Sequence, residues 1–344
     1  MKKVLIEDME AVCASGLPWE EFRGSSFLIT GATGLIGSLL VRALLYANDK
    51  YRLELAVHAL VRDVKKADQL FADGPKPHYV VGDLTRHPIE MKDACDFIVH
   101  AAAVTTSKLM VEDPVGTIRT AVDGTDKILR FAVDKNVKAM VYLSSMEVYG
   151  QPRHEGKTRE EDLGYVDLSS VRSCYPEGKR MCECLCTAYA SQHGLRVTSA
   201  RLAQTFGAGI LPTENRVFAQ FARSAAVLED IVLHTTGESE GNYVYSSDAV
   251  TAILLLLLRG EAGGAYNIAN EQSHTTIREM AEMVARELAG GRIKVRIEIP
   301  ENPAALGYAP PVKMWLDASK MRSLGWEPKV GLTDAYRRMS EWMA

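Results

Sequence analysis

The fold is decided by Thr30-Gly31-Ala32-Thr33-Gly34-Leu35-Ile36-Gly37. This stretch follows the apolar run Ser26 to Thr30 and opens the helical pattern Leu35 to Leu45, so a strand, a glycine-rich turn and a helix follow one another. Glycines at these points permit a tight turn and a close approach of the backbone to a pyrophosphate, and the helix N-terminus supplies free N–H groups. A simple turn is the alternative to a dinucleotide site. The expected dinucleotide contacts are Gly31, Thr33, Gly34, Leu35, Ile36 and Gly37.

The pattern around this turn predicts an α/β fold of the Rossmann type, a doubly wound parallel sheet. Short apolar runs alternate with helical patterns, which is typical of parallel strands joined by crossover helices. The predicted strands are Ser26 to Thr30, Leu55 to Val61, Tyr79 to Gly82, Phe97 to His100, Met140 to Ser144 and Arg196 to Leu202.

The domain organisation is expected to be two interleaved lobes. We predict a dinucleotide-binding domain over residues 1–202, with 1–25 as an N-terminal extension packed on the outside of the sheet. A smaller α/β substrate lobe is predicted over 203–344, with about 243–259 returning to the first domain. The four prolines between Pro300 and Pro311 interrupt the pattern of the second lobe.

The charge balance argues against nucleic acid as a partner. The chain has 344 residues, with 40 Lys and Arg against 44 Asp and Glu, and a formal net charge of −4. Charges are interspersed, and no basic tail for DNA, RNA or an anionic membrane is present in the sequence. With 47% hydrophobic and 24% charged residues, the composition is that of an ordinary globular protein.

Secretion and membrane insertion are not expected either. The apolar run near the N-terminus ends at Glu7 and is too short for the core of a signal peptide. The most apolar run, Ala249 to Leu258, is well short of the about 20 residues that a membrane-spanning helix needs. We therefore expect a buried helix there.

The cysteines fit a reducing, cytoplasmic compartment. There are 6 of them in a chain too long to need disulfides for stability. Cys182 and Cys186 share one face of a predicted helix, whereas Cys184 points away from it. We therefore expect no metal site.

The residue at the end of the second strand bears on the choice of cofactor. An acidic residue about 20 positions after the glycines binds the ribose 2′-hydroxyl of NAD, whereas an Arg accommodates the 2′-phosphate of NADP. Arg62 stands at this place and Asp63 follows it. The sequence favours NADP and leaves NAD open.

A phenol and an ammonium group lie four residues apart in Tyr175-Pro176-Glu177-Gly178-Lys179, hence on one face of a helix. A nearby cation stabilises phenolate and lowers the pKa of a tyrosine, so we expect Tyr175 to take a proton from a substrate hydroxyl. Ser145 ends the fifth strand, at the carboxyl edge where ligands bind in such sheets. The three residues predict an active site for hydride transfer.

With further motifs, these residues resemble the extended short-chain dehydrogenases/reductases, and within them the NAD-dependent epimerase/dehydratase family that modifies nucleotide sugars. The resemblance runs from Ser26 to the C-terminus. Its motifs, besides the glycine turn, are Gly82-Asp83-Leu84, Asp96 to Ala103, Ser144 to Gly150, Tyr175 with Lys179, Arg201 to Gly207, Tyr245 to Asp248, and Leu316 to Trp326.

The resemblance implies roles for these positions. Tyr175 is the catalytic base, Lys179 is its partner and a ribose ligand, and Ser145 orients the substrate hydroxyl. Further cofactor contacts are implied at Asp83, Leu84, Ala101, Ala102 and Ala103, with Arg62. The implied substrate contacts are Thr105, Ser145, Met146, Glu147, Gln204, Asn215 and Arg216.

The pair Met146-Glu147 bears on the type of reaction. Relatives that dehydrate a hexose carry Asp-Glu after the hydroxyl residue, and a methionine thioether cannot donate the proton that this Asp supplies. Glu147 stays available as a base or positioning group. The arrangement is most similar to decarboxylases of nucleotide-linked uronic acids, and epimerisation stays open because it needs no such acid.

Three positions depart from the family pattern. The Asn that completes the catalytic tetrad falls on Ala121, and the Asn that meets the substrate diphosphate falls on Gln204. The Arg that clamps this diphosphate falls on Gly241, which offers no charge-assisted contact. Asn215 and Arg216 are candidates for part of the missing contact.

Two further expectations follow from the resemblance. The leading hypothesis is an NAD(P)-dependent enzyme that passes through a 4-keto sugar, and the alternative is a net reductase that consumes NADPH on a keto-sugar or another carbonyl compound. A homodimer is expected through the two long helices that flank the fifth strand, with Met181, Leu185 and Tyr189 either at the interface or packed internally.

Overall fold

The central feature of the computed structural model is a seven-stranded parallel sheet; the structure describes residues 1–87, 89–152, 154–300 and 312–344. Its strands are β1 (Ser26–Thr30), β2 (Ala56–Val61), β3 (His78–Val81), β4 (Phe97–His100), β5 (Ala139–Ser145), β6 (Val197–Leu202) and β10 (Ala265–Ile268). Their order across the sheet is β10-β6-β5-β4-β1-β2-β3. Every neighbouring pair is parallel. The predicted fold class is confirmed.

The remaining strands form two small sheets. They are β7 (Gln204–Phe206), β8 (Ile231–Leu233), β9 (Glu240–Tyr245), β11 (Asn270–Thr276) and β12 (Val295–Ile297). One sheet has the order β11-β9-β7 and the other pairs β12 with β8.

Helices cover the main sheet and build the second lobe. They are α1 (Lys3–Cys13), α2 (Leu35–Tyr51), α3 (Val64–Leu70), α4 (Ser107–Glu112), α5 (Pro114–Asp134), α6 (Cys174–His193), α7 (Val217–Val227), α8 (Ser246–Arg259), α9 (Ile277–Glu287), α10 (Ser319–Arg322) and α11 (Leu332–Met343). Short 3-10 helices occupy Trp19–Phe22, Met146–Tyr149 and Val171–Ser173.

The chain comes back to the main sheet after β9, where residues of α8 share the core of that sheet and β10 then joins it. The strand β9 belongs to a small sheet, whereas β10 at Ala265–Ile268 pairs with β6 in the main one. The strand β10 is only four residues long and has Asn267 among its three apolar residues. The apolar run Ala249 to Leu258 lies in α8 and is buried almost throughout, as predicted.

The N-terminal extension packs on the main domain. Phe22 contacts the rings of Phe27 and Phe97 at centroid distances of 5.3 and 5.2 Å. Burying such rings is a major source of stability. Helix α1 also reaches the end of the chain, because Asp8 accepts hydrogen bonds from Arg338 in α11 and from the Tyr245 hydroxyl, at 2.9 and 2.7 Å.

The second lobe has an aromatic core of its own. Phe206 stacks on Phe218 with centroids 4.8 Å apart and contacts Tyr243 and Tyr336. Eleven of the twelve positions from Pro300 to Pro311, where prolines are expected to interrupt the pattern, lie outside the described residues. Among the described helices, none has the length and apolarity to cross a membrane.

Candidate active site

The turn after β1 requires glycine at two points. Gly31 has φ +62°, and a Cβ there would lie 2.6 Å from the carbonyl carbon of Ala101. A Cβ on Gly37 would lie 2.2 Å from the carbonyl oxygen of Gly31. Glycines therefore occupy the positions where the turn, β4 and α2 come closest, as in a dinucleotide-binding turn.

The start of α2 is open to an anion. Gly34 is its N-cap and offers no side-chain cap to the first-turn N–H groups, which include those of Leu35 and Ile36, and this turn carries no acidic residue. Thr33 lies half-buried in the turn itself. A diphosphate fits this cradle, since it accepts hydrogen bonds and carries the charge that a helix N-terminus favours.

The segment after β4 runs beside the turn. Ala101, Ala102 and Ala103 are half-buried, and the Ala102 N–H donates to the Thr30 hydroxyl at 3.1 Å. Small side chains here leave space along the carboxyl edge of the sheet. Thr105 lies further along the same segment and is exposed.

The charged side chains near the ends of β2 and β3 differ in whether they are hydrogen-bonded within the protein. The Asp63 carboxylate caps α3 by accepting from the Lys66 N–H at 3.0 Å, whereas Arg62 is exposed. Asp83 accepts from the Thr85 N–H and hydroxyl, and these bonds lower its pKa. Leu84 is buried in the core.

The structure brings Ser145, Tyr175 and Lys179 together. Tyr175 and Lys179 lie on one face of α6 and line a small cavity with Ala103 and Ala121. The Lys179 ammonium donates to the carbonyl of Leu143 in β5 at 2.7 Å and lies 5.8 Å from the centre of the Tyr175 ring. Ser145 ends β5. This places a phenol, an ammonium and a hydroxyl at the carboxyl edge of the sheet.

The expectation that Lys179 brings the pKa of Tyr175 towards neutrality is wrong for the protein by itself. Burial, and next the charge of Glu147, raise the pKa of Tyr175 to about 12, while hydrogen bonding with Ser145 acts in the opposite direction. Burial lowers the pKa of Lys179 to about 8. The loss of solvent around the phenol therefore outweighs the groups that lower its pKa.

Glu147 belongs to this site and is held by an arginine. Its backbone N–H donates to the Ser145 hydroxyl at 3.2 Å, and its carboxylate accepts from Arg172 at 3.1 Å. The Arg172 guanidinium lies 5.6 Å from the centre of the Tyr175 ring. Met146 packs against the core.

Sequence reasoning missed Arg172. It lies three residues before Tyr175, in the 3-10 helix Val171–Ser173 that leads into α6. Spacing alone does not say which way a side chain points from such a turn. The only signal was a cation close in sequence to the predicted base.

The positions that depart from the family pattern lie in three places. Ala121 lines the small cavity beside Tyr175. Gln204 begins β7, and Gly241 is buried in the neighbouring β9, where a Cβ would be in ordinary contact, 3.7 Å from the Met314 carbonyl. Packing therefore does not demand the glycine that replaces the clamping Arg.

Of the two candidates for the missing contact, Arg216 has a side chain that is already paired. Arg216 makes two hydrogen bonds to the Glu214 carboxylate, at 3.0 and 2.6 Å, and lies over the Phe218 ring. The Asn215 carbonyl accepts from Gln220 at 2.7 Å. Both Asn215 and Arg216 are exposed.

The cysteines of α6 alternate in burial as their spacing predicts. Cys182 and Cys186 are buried and Cys184 is exposed. Within the ranges that the structure describes, no group of three His, Cys, Asp or Glu residues is placed to hold a metal ion.

Comparisons with known proteins agree with this geometry. Residues 27–269 match the NAD dependent epimerase/dehydratase family. The chain is 34% identical over 318 residues to UDP-glucuronic acid decarboxylase 6 of Arabidopsis thaliana, covering 91% of this chain and 87% of that one. It is 28% identical over 314 residues to UDP-glucuronic acid decarboxylase 1 of Xenopus tropicalis, covering 90% and 70%.

Solved structures share the fold. UDP-glucose 4-epimerase from Thermotoga maritima superposes with a TM-score of 0.77 at 21% identity, covering 92% of this chain and 98% of that one. A dTDP-glucose 4,6-dehydratase from Streptomyces venezuelae with NAD bound gives 0.73 at 25% identity, covering 92% and 96%. The family match and the Arabidopsis relative show that the chain belongs to the NAD-dependent epimerase/dehydratase family.

Proposed function

We propose that the protein oxidises C4 of a nucleotide-activated uronic acid, removes the carboxylate as CO2 and reduces the 4-keto sugar again. The observation that carries this proposal is the group Ser145, Tyr175, Lys179 and Glu147 at one edge of the sheet, with a methionine in place of the dehydratase acid. Relatives from Arabidopsis thaliana that are named as UDP-glucuronic acid decarboxylases support it.

The residues present can carry the oxidation. An oxidised dinucleotide held by the glycine turn, Tyr175 and Lys179 would supply the hydride acceptor for C4. Tyr175 takes the proton of the C4 hydroxyl, and Ser145 holds this hydroxyl in line. The hydrogen bond to the Leu143 carbonyl fixes the position of the Lys179 ammonium near the phenol.

The 4-keto sugar then loses CO2 without an acid at position 146. The bond between C5 and the carboxylate breaks, and its electron pair moves to C5, where the C4 carbonyl stabilises it. C5 then takes a proton from water, Tyr175 gives its proton back to the C4 oxygen, and a reduced dinucleotide would return the hydride to C4. Glu147 is available to position the sugar ring.

The test is to incubate the protein with UDP-glucuronic acid and each dinucleotide, and to follow CO2 release and the mass of the sugar nucleotide. We expect one CO2 per product and no net change in the dinucleotide. Tyr175→Phe is the control and should form no product. A product of unchanged mass would replace decarboxylation by epimerisation. Stoichiometric NADPH consumption with a carbonyl substrate would favour the net reductase.

We infer NADP as the preferred cofactor. The Asp63 carboxylate is engaged as the cap of α3, whereas Arg62 is exposed and next to the exposed Lys65 and Lys66. Exposed cations at the end of β2, and the engagement of Asp63, support recognition of a 2′-phosphate over a 2′-hydroxyl. Titrating the protein with NADPH and NADH should show tighter binding of NADPH, and Arg62→Ala should remove the difference. Equal affinities in the wild type would contradict it.

We propose a homodimer through α5 and α6. Several apolar side chains on α4, α5 and α6 are exposed, namely Leu109, Val111, Val115, Ile118 and Met181. Leu185 and Tyr189 are only partly exposed, and the Tyr189 hydroxyl donates to Asp126 of α5 at 2.7 Å, so these two pack within the protomer. Light scattering at micromolar concentration should give twice the mass of the chain, and a monomer would refute the proposal.

We also propose a cytoplasmic location. All six cysteines are free thiols, and five of them are buried. Unpaired thiols persist in a reducing compartment. Cell fractionation with an antibody against the protein should find it in the cytosolic fraction, and recovery from an oxidising compartment would contradict this.

A further inference from the structure

The arginine that holds Glu147 has donor capacity that the protein does not use. Arg172 Nη2 donates to the Glu147 carboxylate at 3.1 Å, whereas Arg172 Nη1 is shielded from solvent and has no hydrogen-bond partner among the described residues. Buried polar groups in folded proteins are nearly always paired. An unpaired edge of a guanidinium in an active site therefore points to a group that arrives with the substrate.

The position of Arg172 identifies the part of the substrate that it meets. Its guanidinium lies 5.6 Å from the centre of the Tyr175 ring. Under the proposed function, Tyr175 and Ser145 hold the oxygen on C4. Since C5 is bonded to C4, the substituent on C5 falls in the shell around the phenol that Arg172 occupies.

The charges around Tyr175 show which cation is available there. Lys179 is fixed by the Leu143 carbonyl, and Arg216 is engaged by the Glu214 carboxylate through Nε and Nη2. Arg172 is shared with Glu147 through one nitrogen. A second carboxylate next to Glu147 would be repelled unless a cation stood between the two, and a guanidinium fork is suited to hold two carboxylates.

We propose that Arg172 is the specificity-determining residue for a carboxylate on C5 of the sugar. It keeps Glu147 on Nη2 and, after a rotation of its terminal torsions, presents Nη1 to the uronate carboxylate. The Nη1 atom is shielded although the side chain as a whole is only half-buried, so a charge-assisted contact there is less screened by solvent than one on the surface. The inference rests on the proposed function and names the group by which a uronic acid is distinguished from a neutral hexose.

The test compares two probes that differ at this carboxylate. With a saturating dinucleotide present, calorimetry measures the affinity of the wild type and of Arg172→Gln for UDP-glucuronic acid and for UDP-glucose. We expect the wild type to prefer the uronate and the variant to lose about ten- to a hundredfold in affinity for it. The affinity for UDP-glucose should change less than about twofold.

Three variants separate recognition from support of the fold. Arg172→Lys keeps the charge but not the fork, and should recover part of the uronate affinity. Glu147→Gln removes the ion pair but leaves Arg172 in place, so it should keep or strengthen uronate binding. Arg278→Gln removes an exposed ion pair to Glu282 on α9 and should change neither affinity. Melting temperatures identify variants that fail to fold.

The outcomes distinguish this inference from the proposed function. If the wild type prefers the uronate and Arg172→Gln keeps the preference, Arg172 does not read the carboxylate. Equal loss of both probes would make Arg172 a structural support for Glu147. A wild type that binds neither sugar nucleotide would overturn the proposed function, and the inference with it.

Discussion

Two regions of the site treat their charges differently. Around Tyr175, the ammonium of Lys179 is buried and fixed by one backbone carbonyl, and the phenol lies at the end of a long helix packed on β5. Around Gly241, the family's clamping Arg is missing, and the nearest candidate, Arg216, is exposed and paired with Glu214.

The difference shows that the family's residues for hydride and proton transfer are retained, whereas its diphosphate-binding residues are not. The region that handles the hydride and the proton is built from buried side chains, whose positions the core defines. The region that would hold the diphosphate has lost its strong cation and has not replaced it with a free one among the residues described. Changes in the first region should therefore have large effects, and changes in the second small ones.

The largest effect should come from Tyr175→Phe. Removing the hydroxyl removes the only proposed proton acceptor for the C4 oxygen, so kcat should fall by about a hundred- to ten-thousandfold. Steady-state assays of sugar nucleotide conversion measure this, and the melting temperature should stay close to that of the wild type. Turnover within threefold of the wild type would contradict the role of Tyr175.

The next effect should come from Gly37→Ala. Its Cβ would lie 2.2 Å from the Gly31 carbonyl oxygen, so the turn or the helix must shift, at a cost of about 1–3 kcal/mol. Fluorescence titration should show weaker dinucleotide binding, and thermal unfolding a lower Tm. Gly331→Ala is the matched control because a Cβ there meets nothing within 4 Å. Equal behaviour of the two variants would contradict the close approach.

A smaller effect should appear in the pH dependence of Glu147→Gln. The Glu147 charge raises the pKa of Tyr175, so its removal should lower this pKa. A base with a lower pKa becomes active at lower pH, and the rising limb of kcat/KM should move down by about half a pH unit. Glu282→Gln, on the surface of α9, is the control. A limb that stays in place would show that Glu147 does not act on the phenol.

The smallest effect should come from Arg216→Ala. The guanidinium is exposed and engaged by Glu214, and such pairs contribute little, so KM for the sugar nucleotide should rise less than about threefold. An increase of tenfold or more would mean that Arg216 leaves Glu214 to hold the diphosphate. That result would remove the contrast between the two regions.

Much of the fold could be predicted because its signals are local. Apolar runs bounded by glycine, proline or charge marked six strands of the main sheet, and Ser26–Thr30 and Phe97–His100 are found with the predicted bounds. The strand β10 escaped because its pairing with β6 is a long-range contact with no local pattern.

The sequence predicted those features of the site that depend on the spacing of residues along one helix. The four-residue interval of Tyr175 and Lys179 gave their common face, but not the Leu143 carbonyl that holds the ammonium or the burial that raises the pKa of the phenol. Arg172 meets Glu147 across 25 positions of the chain, which no interval reveals.

The bond between Asp8 and Arg338 has a consequence for how the protein is made. These residues are 330 positions apart, so the first helix leaves the ribosome long before its partner exists. Until α11 is synthesised, Asp8 has no guanidinium to pair with, and burial of its carboxylate is unfavourable. A chain that lacks α11 would therefore leave the buried Asp8 carboxylate without its guanidinium, while the apolar face of α1 could still pack in the main core.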